Sequence, residues 1–134
     1  MVRASASRMV IKCVEELHVF QRSLRLADEI SRVLERPKFR RWRRLREQLE
    51  NSSGAVPALI AEGFPLSTDR HFAQCLYRAR GESGETRAHL AVACGRGIIL
   101  DSEREGWCSR YNEIEKMLTG LIKHLEREDR KRRG

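Results

Sequence analysis

The chain has 134 residues, with 27 Lys+Arg against 19 Asp+Glu and a formal net charge of +8. That length suits one domain with a core of its own, and that charge favours nucleic acid or another polyanion over an acidic partner. Hydrophobic residues reach 40%, which excludes a disordered tail, and the near absence of β-branched runs argues against a many-stranded β protein.

The segment from Met1 to Val10 is too polar for a signal peptide, and no apolar run approaches transmembrane length. Cys13, Cys75, Cys94 and Cys108 lie far apart without a CxxC pair. These features fit a cytoplasmic protein with reduced thiols and no membrane partner.

The first helix is expected over about residues 14–35. Leu17, Phe20, Leu24, Ala27, Ser31 and Leu34 repeat at spacings of 3 and 4 along one side. Val19, Leu26, Ile30 and Val33 form a second stripe on another side, which reads as a candidate subunit contact. Pro37 ends the helix and leaves a short connection, so the next helix is an antiparallel neighbour.

The second helix is expected over about 39–63, carrying Trp42, Leu45, Leu49, Val56, Ile60 and Gly63, with a kink near Ser53 and Gly54 caused by Pro57. Gly63 and Pro65 form its stop signal. Arg36, Lys38, Arg40, Arg41, Arg43, Arg44 and Arg46 surround its start with no acid among them. Each exposed cation at a helix N-terminus is disfavoured by ~0.3–1 kcal/mol. The run therefore reads as a surface kept for phosphates, which the planar arginine fork binds well. The competing reading is a solvated helix face. Trp42 reads as a core anchor by its spacing, with base stacking as the second reading.

The third helix is expected over about 68–98, capped by Ser67 or Thr68. Its stripe is Phe72, Leu76, Ala79, Ser83, Thr86, Leu90, Ala93 and Gly97, small in the middle so that a neighbour can approach. Arg78, Arg80, Arg87 and Arg96 alternate with Glu82 and Glu85 and read as a salt-bridged surface. Ser102 and Glu105 read as the capping box of a fourth helix over about 103–129, with Trp107, Tyr111, Ile114, Leu118, Leu121 and Leu125 on its apolar side. Arg130, Lys131, Arg132 and Arg133, within the tail 130–134, can extend the basic surface or simply form a solvated end.

The four helices predict one all-α domain over residues 1–134, an antiparallel up-down-up-down four-helix bundle. Glu62 and Glu85 are candidates for buried polar pairing. His71 and Cys75 stand at i,i+4, but no close second pair completes a tetrahedral ligand set, so neither metal nor cofactor is expected. His18, His89 and His124 are isolated. No nucleophile–base arrangement is present, and the chain reads as a non-enzyme.

Val56-Pro57-Ala58-Leu59-Ile60-Ala61-Glu62-Gly63 resembles the IPANIAEG signature of the "four helix bundle" family, which includes proteins encoded in intervening sequences of bacterial 23S ribosomal RNA genes. Gln48-Leu49 upstream and Ser67, Phe72, Leu76, Ala79, Gly81 and Glu85 downstream follow the same pattern. Leu59, Phe64-Pro65, Arg70 and Glu82 depart from it. The resemblance, running from about Leu17 to Leu125, implies a ring-like homopentamer and binding of RNA or DNA. A related branch, the accessory variability determinants of diversity-generating retroelements, implies a reverse transcriptase as a partner. The expected function is therefore an RNA-binding accessory or scaffold subunit of a ribonucleoprotein, the alternative being a protein-interaction adaptor.

Overall fold

A computed structural model describes residues 13–64 and 68–134. Expectations for Met1 to Val10, Pro65 and Ser67 lie outside the described residues. Four α-helices follow in order: α1 (His18–Val33), α2 (Arg43–Gly63), α3 (Asp69–Gly95) and α4 (Asp101–Arg133). Short 3-10 helices occupy Val14–Glu16 and Pro37–Arg40. No strand occurs among the described residues.

Contacts at the two ends fix the helix directions. Arg36, after α1, reaches Glu103 in the first turn of α4, and Lys38, before α2, reaches the Gly97 carbonyl after α3. At the other end, Arg132 near the close of α4 pairs with Asp69 at the start of α3, and Phe64 after α2 packs against Phe72 in a tilted pair, ring centroids 5.9 Å apart. Neighbouring helices thus run in opposite directions, as in an up-down-up-down bundle. We refer to the ends as the Arg36 end and the Arg132 end.

The core collects one side of each helix. On α3 the expected stripe is buried from Phe72 through Leu76, Ala79, Ser83, Thr86 and Leu90 to Ala93. On α4, Tyr111, Ile114, Leu118 and Leu125 are buried, together with Ile122, while Trp107 and Leu121 are half-buried against them. Helix α2 runs unbroken through Pro57, and its Leu45, Leu49, Val56 and Ile60 face inward.

Helix α1 corrects the sequence reading. Val19, Leu26 and Ile30, read as a subunit contact, are 4%, 1% and 0% exposed and belong to the core; Val33 is half-buried against it. The stripe is completed by Ser23, whose hydroxyl donates to the Phe20 carbonyl at 3.0 Å and so enters the core satisfied. The other stripe lies mostly toward the surface, with Leu24 and Ser31 exposed and Leu17, Phe20 and Ala27 half-buried; only its last member, Leu34, enters the core at 3% exposure. Two apolar sides gave the period no means of saying which one faces inward.

Helix ends differ as well. Helix α1 starts at His18 because Val14–Glu16 closes a separate 3-10 turn. Helix α2 starts at Arg43, since Pro37 opens a 3-10 turn that buries Phe39. Thr68 caps α3 by accepting from the His71 N–H at 3.1 Å. At α4 the cap sits two residues before the expected Ser102–Glu105 box: the Leu100 N–H donates to Glu103 at 2.9 Å. Gly97, with φ of +75°, turns the chain there, and the buried Ile98 and Ile99 hold it against the core. The basic tail is the last turn of α4, helical through Arg133.

Buried polar groups meet between α3 and neighbouring helices. Glu115 of α4 accepts from Ser83 at 2.6 Å and from Arg87 at 2.7 and 2.9 Å. Thr86 donates to Ser52 of α2 at 2.8 Å. Glu115 therefore takes the polar role expected for Glu62 and Glu85, whose side chains are 53% and 60% exposed on the outer faces of their helices.

Candidate nucleic-acid interface

The basic run wraps the Arg36 end of the bundle. It starts on the α1–α2 connection and continues into the first turn of α2, so the cations are spread over a loop and a helix start. Arg36 is not free. Its guanidinium forms a two-pronged pair with Glu103, 3.0 and 2.5 Å, and donates to the Ile98 carbonyl at 3.2 Å. This pairing, reinforced by the Leu100 N–H, holds the Glu103 carboxyl down at about 2, and it raises the Arg36 pKa further. Lys38 donates to the Gly97 carbonyl at 3.1 Å and Arg46 to the Leu34 carbonyl at 3.0 Å. These three cations tie α1, α2, α3 and α4 together at this end.

Arg40, Arg41, Arg43 and Arg44 differ from them. All four are exposed, and none makes an ion pair with a carboxylate among the described residues. Arg41 lies over the Trp42 ring at 5.0 Å, and Arg96 from the end of α3 lies over the same ring at 4.2 Å. Trp42 is half-buried against the core, so it anchors the end and also carries two guanidinium groups. Arg96 joins the cluster only through the fold, across 54 residues from Trp42 (96 minus 42). In the sequence it stands far from the basic run, beyond Glu82 and Glu85, and reads as ordinary surface.

The start of α2 adds to the positive field. Trp42 provides no side-chain cap, and the first turn contains no acid. Backbone N–H groups at that end therefore point toward the same region as the arginines, and both favour an anion.

The tail is placed elsewhere. Arg132 pairs with the buried Asp69, Arg133 with Asp129 at 3.2 Å and Lys131 with Glu128 at 3.4 Å. Arg130 is exposed, without an ion-pair partner among the described residues. From Glu103 to Arg132 the helix advances by about 44 Å at 1.5 Å per residue. The tail therefore cannot extend the Arg36 patch; the two basic clusters lie at opposite ends.

Arginines on α3 likewise have partners other than those expected: Arg78 approaches Glu62 at 4.0 Å, Arg80 donates to Thr119 at 2.9 Å, and Arg87 holds Glu115. His89 lies 3.9 Å from Glu85. Cys75 is buried, 3.6 Å from His71 Nε2, and burial pushes its thiol pKa up.

The model of the 23S rRNA-intervening sequence protein family matches residues 15–120. The chain belongs to that family. Its fold is similar to a crystal structure from Bacteroides thetaiotaomicron VPI-5482, described as a protein with unknown function from the S23 ribosomal protein family. The TM-score is 0.70 at 23% identity, over 78% of this chain and 98% of the other. No curated protein matches the chain. In this member of the intervening-sequence family, no described helix is long and apolar enough to cross a membrane.

Proposed function

We propose that this protein is a non-enzymatic nucleic-acid-binding subunit that contacts RNA through the Arg36 end of its bundle and serves as an accessory or scaffold component of a ribonucleoprotein. The observation that carries the reading is the set Arg40, Arg41, Arg43 and Arg44: exposed, close in sequence, without a carboxylate partner among the described residues, and next to an uncapped helix start. A basic surface meant only for solubility gains nothing from crowding cations where the helix dipole opposes them. Contact is mainly with phosphates, since the one aromatic ring in the cluster is half-buried and already covered by two arginines. Binding is therefore weakly selective for sequence.

Self-association belongs to the same reading and rests on the family, whose resemblance implies a pentamer. The apolar surface that α1 leaves for it is Leu24 with the half-buried Leu17 and Phe20, in place of the core residues Val19, Leu26 and Ile30. Binding of the purified chain to RNA of random sequence, followed across a salt series, tests the function. Affinity falling steeply with salt supports phosphate contact. An absence of binding at low salt overturns it and leaves the adaptor reading, in which an acidic protein such as a reverse transcriptase subunit meets the cations.

A further inference from the structure

At the Arg132 end, α2 and α3 bring three different ligand types together. Glu62 lies in the last turn of α2, while His71 and Cys75 lie on consecutive turns of α3. One ligand atom from each falls within 4.8 Å of the other two. The sequence shows two of these residues as a pair and gives no sign of the third, which arrives from the preceding helix.

The backbone holds the group in place. Gly63 lets the end of α2 lie directly against α3: an added Cβ there is 2.6 Å from Phe72 Cδ1 and 3.0 Å from Cys75 Cβ. Thr68 caps the turn that carries His71. The geometry of the pair also fits a metal. With metal–sulfur and metal–nitrogen bonds of about 2.3 and 2.0–2.1 Å, a tetrahedral zinc ion separates its S and N ligands by about 3.5 Å. Cys75 Sγ and His71 Nε2 are 3.6 Å apart. Glu62 is exposed and turns about its own side-chain bonds to close the remaining distance.

We propose that Glu62, His71 and Cys75 bind a zinc ion that clamps the end of α2 to the first turns of α3, with the fourth position open to water. A thiolate, an imidazole and a carboxylate are zinc's usual ligands, and the two anionic ones neutralise its charge. Binding exchanges the Cys75 thiol proton for the metal and releases that proton to solvent. Arg78 is no obstacle: its 4.0 Å contact with Glu62 joins two exposed side chains and yields readily. The site lies about 28 Å along α2 from Arg43, far from the basic end. It stands or falls independently of RNA binding.

Titration of the reduced full-length protein with Co²⁺ is the test, with Zn²⁺ as competitor. One equivalent per chain should produce a thiolate-to-cobalt charge-transfer band and tetrahedral d–d bands, both abolished by zinc. Cys75→Ser should lose the charge-transfer band. His71→Ala and Glu62→Gln alter exposed groups and keep the fold, so they decide the matter even if Cys75→Ser does not fold. His71→Ala should weaken zinc by at least about 100-fold, because even outer-shell partners account for ~10–100-fold. Glu62→Gln should weaken it by about 10-fold or more. Saturating zinc should raise the thermal midpoint of the natural chain and leave that of His71→Ala unchanged. A band that persists in Cys75→Ser, or zinc affinity within about 3-fold of the natural chain in both His71→Ala and Glu62→Gln, overturns the site.

Discussion

The two ends of this bundle are both rich in arginine, yet they use it differently. At the Arg132 end, Arg132, Arg133 and Lys131 each meet an acid of the same chain, so their charge is spent internally. At the Arg36 end, Arg36 alone of the run has a carboxylate partner among the described residues, and Arg40, Arg41, Arg43 and Arg44 are exposed without one there. Runs of positive charge therefore differ in what they offer a ligand. A cation already held by a nearby carboxylate presents a local dipole, whereas an unpaired one contributes its full field and releases a counterion when it meets a phosphate.

That contrast is open to direct attack. Replacing Arg40, Arg41, Arg43 and Arg44 with Gln should weaken binding to random RNA by about 100-fold or more at low salt while leaving helicity intact, as read by filter binding and circular dichroism. Arg132→Ala works on the other end and on a different property. It strands the buried carboxylate of Asp69 and should lower stability by ~1–2 kcal/mol, less than a fully buried pair because the Arg132 side chain is 58% exposed. Urea unfolding measures it, and RNA affinity should not follow.

Acid sharpens the account of Arg36. The Glu103 pKa falls from 4.5 in the unfolded chain to about 2 in the fold, with Arg36 as the first cause. A depressed carboxyl contributes stability that is fully present above about 4.5 and is lost as pH falls toward 2. With Arg36 38% exposed, solvent screening reduces that contribution to ~1–2 kcal/mol. The Arg36→Gln variant should therefore lose stability at neutral pH and show a shallower decline between pH 5 and pH 2 than the natural chain. Smallest of all should be the effect of converting Arg130, Lys131, Arg132 and Arg133 to Gln on RNA affinity, about 3-fold or less. A loss there as large as at the Arg36 end would erase the distinction between the ends.

How far the sequence carries this picture depends on how local each signal is. The α3 stripe from Phe72 to Ala93 is readable because it keeps alternating spacings of 4 and 3 without a break, even though Tyr77 and Val92 leave apolar side chains on the outer side. Helix α1 offers two apolar stripes, and a hydroxyl at Ser23 disguises the inner one; only packing against α2 and α4 selects Val19, Leu26 and Ile30. The start of α2 is misplaced by four residues, Phe39 against Arg43, because Phe39 fits the helical spacing while Pro37 commits the chain to a 3-10 turn first. The basic run itself is plain in the sequence. Its division into held and free arginines is not, since Glu103 lies 67 residues from Arg36 and the Gly97 carbonyl 59 from Lys38. Arg96 over Trp42 and Glu62 beside Cys75 are likewise products of helix pairing, with no trace in local spacing.

The salt dependence of RNA binding, compared between the natural chain and the variant with Gln at 40, 41, 43 and 44, separates phosphate contact at the Arg36 end from a merely solvated surface. Each phosphate contact on a single strand contributes about 0.7 to the slope of log affinity against log salt. Loss of four contacts should flatten that slope by roughly 2–3. An unchanged slope would show that these arginines meet no phosphate.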